Sequence, residues 1–219
     1  MPPLQGEGQL IKNIKFIVEN EKLQEGSKRI WVLNRIHDLQ KLNKIKTFLE
    51  KQKEEYKEIE FVYKEFINQK LNINKNILLF LNNHFWYKAD EKKTNLFVLL
   101  LKNFNNYATN INQARNFCLH DGKREECKWV FPLDGNIFIP GKNLLEILDK
   151  LNSTDKSYLI MPMKRINKIS EVENINDEDF SEEPQVGFRL NKNVYFDENY
   201  CYGFRPKVNL LKRIMIFDQ

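Results

Sequence analysis

The sequence predicts an α/β protein built on a mostly parallel central sheet, with helices on both faces and a small antiparallel element near the C-terminus. Short apolar runs typical of buried strands alternate with segments whose apolar residues recur at helical spacing. The 219 residues are 42% hydrophobic and 30% charged, as in globular domains. No internal repeat or Pro- or Ser-rich linker divides the chain. We therefore expect one domain over residues 28–219, preceded by an N-terminal leader over residues 1–27.

The first half of the chain is expected to alternate strands and helices after a short helix at residues 9–20. Residues 29–33 are a nearly continuous apolar run, which favours a strand buried on both faces. Asn34-Arg35 follows this strand, at the end where ligands bind in parallel sheets. Further elements are a helix capped by Asp38 and running from residue 39 to 54, strands at 59–63 and 77–81, and a helix at 94–103.

The second half is expected to contain a helix that Thr109 or Asn110 caps and that ends at Asp121-Gly122. The acidic residues 171–183 lack periodicity and predict a loop. The remaining elements are strands at 127–133 and 158–163, helices at 144–151 and 206–214, and a hairpin of 185–190 with 193–196.

The composition narrows the function classes. The 35 basic and 30 acidic residues leave a net charge of +5, and no block of like charges forms a patch for nucleic acid. The three cysteines lack a CxxC pair, which argues against a disulfide framework or a zinc ribbon. No apolar run reaches the roughly 18 residues of a membrane span, and residues 1–10 lack a signal-peptide pattern. We therefore expect a cytoplasmic protein without a transmembrane segment.

One polar group after a predicted strand points to phosphate chemistry. Asp134-Gly135-Asn136 stands at the end of the strand at residues 127–133. A carboxylate is a hard oxygen ligand suited to Mg²⁺ or Mn²⁺, and the glycine lets the backbone approach a ligand closely. Arg115, near a predicted helix start, can contact a phosphate through its fork of donors.

These residues resemble the middle of the GT-A glycosyltransferases. In that family a helix with Ala-Arg-Asn, here Ala114-Arg115-Asn116, precedes an apolar strand that ends in Asp-x-Asp or a variant. Residues 30–34 look like the family's first strand, and residues 196–213 look like its closing segment. The resemblance covers residues 28–213. It implies an enzyme that moves a sugar from a nucleoside-diphosphate donor to a hydroxyl of a glycan or glycoprotein acceptor.

The resemblance also implies roles for the matched residues. Asp134 would coordinate a Mn²⁺ or Mg²⁺ ion on the donor diphosphate. Asn136, in place of the family's second Asp, would contact the metal or the sugar. The residues expected to bind the nucleotide sugar are Asn34, Arg35, Arg115, Asn116, Asp134, Gly135 and Lys207.

Two departures from the family pattern bear on the mechanism. Asn136 replaces a carboxylate, so metal affinity should fall, and metal independence is an open alternative. Inverting members carry an acidic pair where this chain has the basic stretch 204–207. Arg205 and Lys207 in that stretch are candidates for neutralising the leaving diphosphate.

The general base is therefore left open. Glu182, Glu183 and Asp197 are the candidates for an inverting enzyme, and retention of configuration is the alternative. Two other functions also stay open. A sugar nucleotidyltransferase would carry a Gly-rich loop after the first strand, and residues 34–38 contain no glycine. A nucleotide-sugar binding or scaffold protein without transfer activity would also lack the acidic pair.

Overall fold

The computed structural model describes residues 7–71, 100–166, 182–190, 193–200 and 206–213. Within these residues there are seven helices and five strands. No helix of this part is both long and apolar enough to cross a bilayer. The helices are α1 Glu7–Asn20, α2 Leu39–Lys51, α3 Tyr63–Ile67, α4 Lys102–Thr109, α5 Ile111–Arg124, α6 Gly141–Ser153 and α7 Pro206–Arg213. The strands are β1 Ile30–Asn34, β2 Glu55–Ile59, β3 Trp129–Val130, β4 Tyr158–Met161 and β5 Gln185–Arg189.

The first sheet pairs β1 with β2 in parallel, in a register that sets Asn34 opposite Ile59. α2 connects the two strands. Its predicted cap is confirmed, because the Asp38 carboxylate accepts a hydrogen bond from the backbone N–H of Lys41. Apolar residues of α2 recur at helical spacing and pack with residues of α1 and β1. The buried residues of this first core are Ile14, Leu33, Leu42, Ile45 and Leu49.

The second sheet is antiparallel, with the strand order β3-β5-β4. Phe188 of β5 lies opposite Val130 of β3 on one side and Tyr158 of β4 on the other. α5 and α7 cover this sheet with apolar side chains. The buried residues of this second core are Leu119, Val186, Phe188, Phe196, Leu210 and Leu211.

α5 is the helix that carries most of the candidate site. Its start is as predicted, since the Asn110 side chain accepts a hydrogen bond from the N–H of Gln113. Its predicted end at Asp121-Gly122 is wrong, because the helix continues to Arg124. A Cβ on Gly122 would lie 2.1 Å from Cγ2 of Val130. The glycine therefore permits close packing of α5 on β3 and does not end the helix.

The predicted mostly parallel central sheet is wrong, and with it the GT-A fold that the resemblance implies. In the described residues only β1 and β2 pair in parallel, and the other three strands form a separate antiparallel sheet. Apolar runs indicate where strands lie but carry no information on their direction. Among the described elements, only β1, α2 and β2 form a parallel strand–helix–strand unit with directly paired strands. The partner of β3 and β4 is β5, which comes later in the chain and runs antiparallel to both.

Several other predicted elements differ from the structure in position or length. β2 occupies Glu55–Ile59 instead of residues 59–63, and the strand predicted at 127–133 is reduced to Trp129–Val130. The predicted hairpin is also wrong: residues 193–196 form no strand, because β3 and β4 already pair with both edges of β5. The predictions for residues 77–81, for 94–99 and for 171–181 lie outside the described residues.

Candidate functional site

The inward face of α5 carries polar residues where apolar ones are usual. Asn112, Arg115 and Asn116 share one helix face with Leu119, and all four are buried. Burying amide and guanidinium groups is costly unless they are hydrogen-bonded. The hydrogen-bond partners of these three side chains therefore show which parts of the chain this helix face binds.

The centre of the site is Asp134, which follows β3 in a turn closed by a 2.9 Å hydrogen bond from the Ile137 N–H to the Asp134 carbonyl. Its Oδ1 accepts a hydrogen bond from Nη2 of Arg115 at 2.8 Å, and its Oδ2 accepts one from Nζ of Lys207 at 2.9 Å. Lys207 is 2% exposed and Arg115 is 5% exposed, whereas the Asp134 side chain is 34% exposed. We refer to Arg115, Asp134 and Lys207 as the Asp134 cluster. The carboxylate is its most solvent-accessible member.

Lys207 is held in place by the start of α7. Oε1 of Glu183 accepts hydrogen bonds from the backbone N–H groups of Lys207 at 2.8 Å and of Val208 at 3.2 Å. A carboxylate in this position satisfies helix N–H groups that lack partners and favours the positive end of the helix dipole. Glu183 therefore acts as a helix cap at the backbone of Lys207, and its charge also acts to raise the pKa of Lys207.

Residues 196–198 are bound along the buried face of α5. The Asn116 amide donates to the Phe196 carbonyl at 3.0 Å and accepts from the Phe196 N–H at 2.8 Å. It also donates to Oε1 of Glu198 at 2.8 Å, and Asn112 donates to the Asp197 carbonyl at 2.7 Å. These contacts explain why the two asparagines are buried.

Arg115 is fixed from several sides. Its Nη1 donates to Oδ1 of Asn112 at 3.1 Å, and its guanidinium lies 5.3 Å from the ring centroid of Phe196. Within the described part of the chain its Nε is buried without a hydrogen-bond partner. The Nε–H is thus a buried donor of the guanidinium that no described group satisfies.

Burial and neighbouring charges shift the pKa values of Asp134 and Lys207 in the cluster. Burial raises the pKa of Asp134, but the charges of Arg115 and Lys207 outweigh burial and hold that pKa below its usual value. Burial lowers the pKa of Lys207, and Asp134 offsets only part of this effect. Two cationic side chains face one carboxylate. The three side chains of the cluster carry two positive charges and one negative charge, and the nearby Glu183 carboxylate also acts to raise the pKa of Lys207.

The predicted metal ion does not suit this arrangement. Both carboxylate oxygens of Asp134 already accept hydrogen bonds from cationic groups, and Asn136 is exposed. Among the residues that the structure describes, no group of three or more His, Cys, Asp or Glu side chains is arranged to hold a metal. Mn²⁺ and Mg²⁺ require several oxygen ligands. A metal ion on Asp134 therefore stays a prediction, without support from the geometry.

Asn34 and Arg35 lie at the end of β1, against the first turns of α5. Arg35 has a left-handed backbone with φ 47°, and its N–H donates to the Ile59 carbonyl at 2.8 Å. Its guanidinium hydrogen-bonds to Gln113 and lies 4.7 Å from the ring centroid of Tyr107. The Asn34 amide donates to the Thr109 carbonyl at 3.1 Å. A non-glycine residue in this backbone region is uncommon and is often found at functional sites.

The structure thus brings together three predicted site residues directly, Arg115, Asp134 and Lys207. Glu183 and Asn116 adjoin them through backbone and helix contacts, and Asn34 and Arg35 contact the same helix nearer its start. Asp197 lies close by, but its Oδ1 accepts a hydrogen bond from the N–H of Asn199. Gly135 and Asn136 are exposed in the turn after Asp134.

Sequence reasoning missed the roles of Asn112, Phe196 and Glu198. Asn112 orients Arg115, Phe196 packs against its guanidinium, and Glu198 binds Asn116. One signal for them was present in the sequence. Positions 112, 115 and 116 are polar and lie on the same helix face as the apolar Leu119. Polar residues on a face that is otherwise apolar indicate a buried polar network.

Comparisons with known proteins found no match to this chain. No protein-family model matches it, no curated protein matches it, and no solved structure matches it.

Proposed function

We propose that the protein is a glycosyltransferase that moves a sugar from a nucleoside-diphosphate donor to a hydroxyl of a glycan or glycoprotein acceptor. One observation carries this proposal: two buried cations, Arg115 and Lys207, converge on one carboxylate in the turn after β3. The two cations are the groups that would attract an anion. A diphosphate carries enough negative charge and enough acceptor oxygens to engage both.

The cluster suits the chemistry of sugar transfer. The acceptor oxygen attacks the anomeric carbon while the bond from that carbon to the diphosphate oxygen breaks, so negative charge grows on the diphosphate. Cations fixed before the reaction stabilise this charge without reorganisation. Asn112 orients Arg115, and the Glu183-capped start of α7 positions Lys207. These contacts keep the two cations in place throughout the reaction.

The nucleoside is proposed to lie toward Asn34 and Arg35. Arg35 contacts Gln113 in the first turn of α5, Asn34 contacts Thr109 just before that helix, and Arg115 lies further along it. The left-handed backbone of Arg35 supports a role for this turn beyond chain reversal. We also propose that the protein acts in the cytoplasm. Its three cysteines show no disulfide framework, which is typical of proteins in a reducing compartment.

The test is release of nucleoside diphosphate from a panel of nucleotide sugars, with and without candidate acceptors. Asp134→Asn keeps the side-chain shape but removes the charge that orders Arg115 and Lys207. We expect it to lower kcat/KM at least about tenfold, because misplaced cations no longer stabilise the leaving group. Asp155→Asn is the matched control, since Asp155 is an exposed carboxylate far along the chain from the cluster. Equal activity of both variants would contradict the proposal.

A nucleotide-sugar binding protein without transfer activity is the second candidate. It is favoured by the hydrogen bonds that engage all three candidate bases: Glu183 at the start of α7, Asp197 in its own turn, and Glu182 with Arg165. Such a protein would bind nucleotide sugars and release no nucleoside diphosphate with any acceptor. Steady release that depends on Asp134 would exclude it.

A further inference from the structure

We propose that nucleoside diphosphates bind the Asp134 cluster without a divalent cation, because Lys207 and Arg115 occupy the carboxylate oxygens that a metal would need and supply its positive charge. This inference depends on the proposed nucleotide-sugar function and concerns the same site. It departs from the metal-assisted mechanism that the sequence resemblance implies.

The first step is the occupancy of Asp134. A divalent cation binds carboxylate oxygens through their lone pairs, and here each oxygen accepts a hydrogen bond from a cationic group, at 2.8 Å from Arg115 and 2.9 Å from Lys207. A metal ion at this carboxylate would lie beside two positive charges. The charges of Arg115 and Lys207 would repel the metal ion. They oppose binding of a proton in the same way, which is why they lower the pKa of Asp134.

The second step is the lack of other ligands near Asp134. Glu183 is engaged with the amides at the start of α7, and Glu198 accepts a hydrogen bond from Asn116. Asn136 stands in the exposed turn where a second carboxylate would be needed. In the ranges that the structure covers, no second carboxylate is placed to share a metal ion with Asp134, so water and diphosphate oxygens would have to supply the other ligands.

The third step is the supply of positive charge and donors. Lys207 is 2% exposed, so its ammonium group is removed from water and its field acts through a medium that screens it weakly. An ammonium group has three donors, and the described residues accept from one of them, at Asp134. The buried Nε of Arg115 also lacks a partner among them. These are the donors that we propose a diphosphate engages, and because they are buried, its binding requires the side chains that cover them to move.

The experiment is calorimetric titration of the full chain with uridine, guanosine, adenosine and cytidine diphosphate, in excess EDTA and again in excess MnCl₂. For the nucleotide that binds, we expect dissociation constants that agree within about threefold between the two conditions. Tighter binding in MnCl₂ by more than about tenfold would overturn the inference and leave the proposed function standing. Failure of all four nucleotides to bind in either condition would overturn both.

The role of Lys207 is tested with Lys207→Met and Lys207→Arg. In EDTA we expect Lys207→Met to weaken binding about 10- to 100-fold, the usual range for a lost hydrogen bond to a charged group, and Lys207→Arg to restore part of it. Lys156→Met is the matched control, since Lys156 is exposed. Unchanged binding in a folded Lys207→Met variant would overturn the role of Lys207. If that variant does not fold, binding by Lys207→Arg and the EDTA comparison of the native chain decide the question.

Discussion

Asp134 owes its properties to the two cations that contact it. Alone, a carboxylate in this partly buried place would have a raised pKa, because burial disfavours the charged form. Arg115 and Lys207 reverse the direction of that shift. They in turn depend on Asp134, because each is almost completely buried and would otherwise carry an unpaired charge. The three residues therefore stabilise one another as a unit.

This mutual dependence predicts a pH-dependent stability difference for Asp134→Asn. The pKa of Asp134 is lower in the folded state than in the unfolded chain, so the unfolded chain takes up the proton first as the pH falls. Its stabilising effect is therefore complete above the unfolded pKa of about 3.9 and is lost as the pH falls through the lower folded value. Near neutral pH we expect the variant to be less stable by about 2–3 kcal/mol, somewhat under the range for fully buried pairs.

Urea denaturation of the native chain and of Asp134→Asn, at neutral pH and near pH 3, measures this difference. The gap between the two free energies of unfolding should narrow at the acidic pH. Asp155→Asn serves as the exposed control and should show little change at either pH. A gap for Asp134→Asn that is equally wide at both pH values would show that the charge of Asp134 is not what stabilises the cluster.

At the level of elements, helix starts were predictable and strand partners were not. Asp38 and Asn110 cap α2 and α5 as expected, because a cap acts on backbone groups within three residues. Gly122 was misread as a helix end, since the sequence does not reveal what packs against it. The close contact with Val130 is a tertiary feature, and it required the position of β3.

The packing of α5 on β3 predicts that Gly122→Ala is destabilising. The added methyl group would lie 2.1 Å from Cγ2 of Val130, so the helix or the strand must shift. We expect a loss of about 1–3 kcal/mol, typical of overpacking. Gly141→Ala is the control, because nothing lies within 4 Å of the added atom. The double variant Gly122→Ala with Val130→Ala should recover part of the loss. Thermal melting of the three variants measures these changes, and a double variant without any recovery would contradict the packing argument.

The role of Glu183 as a helix cap leads to a prediction that separates it from a catalytic base. Glu183→Gln retains an oxygen that accepts from the amides of Lys207 and Val208, so stability and activity should stay close to native. Glu183→Ala removes the acceptor and should cost about 0.5–2 kcal/mol. Activity and its pH profile are measured on both variants. An inactive but stable Glu183→Gln variant would instead identify Glu183 as the base.

At the scale of the whole molecule, α5 connects the two small sheets. Nζ of Lys57, in β2, lies 2.7 Å from both carboxylate oxygens of Asp121 near the end of α5, and Asn34 of β1 bonds to Thr109 just before its start. The opposite side of α5 contributes Leu119 to the second core. A helix that packs on both sheets should make them unfold together.

This coupling predicts one unfolding transition seen by two probes. Trp31 reports on the first sheet and Trp129 on the second. Two variants with a single tryptophan are needed. Phenylalanine replaces Trp86 and Trp129 in the first, which keeps Trp31, and replaces Trp86 and Trp31 in the second, which keeps Trp129. Their urea midpoints from fluorescence should coincide with each other and with circular dichroism. Midpoints that differ between the two probes would indicate that the sheets unfold independently.

The sequence was informative about local structure and about the residues of the site, and uninformative about how the strands assemble. The positions of β1 and β4 follow from their apolar runs, whereas the antiparallel pairing of β5 with β3 and β4 joins segments far apart in the chain. The motif assigned Arg115 and Asp134 to one ligand site, but it did not predict the ion pair between them. The position of Lys207 on the second oxygen of Asp134 required the packing of α7, which no local pattern specifies.

The most direct test of the central claim is a crystal structure of the protein with the nucleoside diphosphate that binds it, grown in the presence of EDTA. The diphosphate oxygens should lie within about 3 Å of donors on Arg115 or Lys207, and Asp134 should remain paired with at least one of them. A diphosphate bound elsewhere on the molecule, with the Asp134 cluster unchanged, would contradict the account.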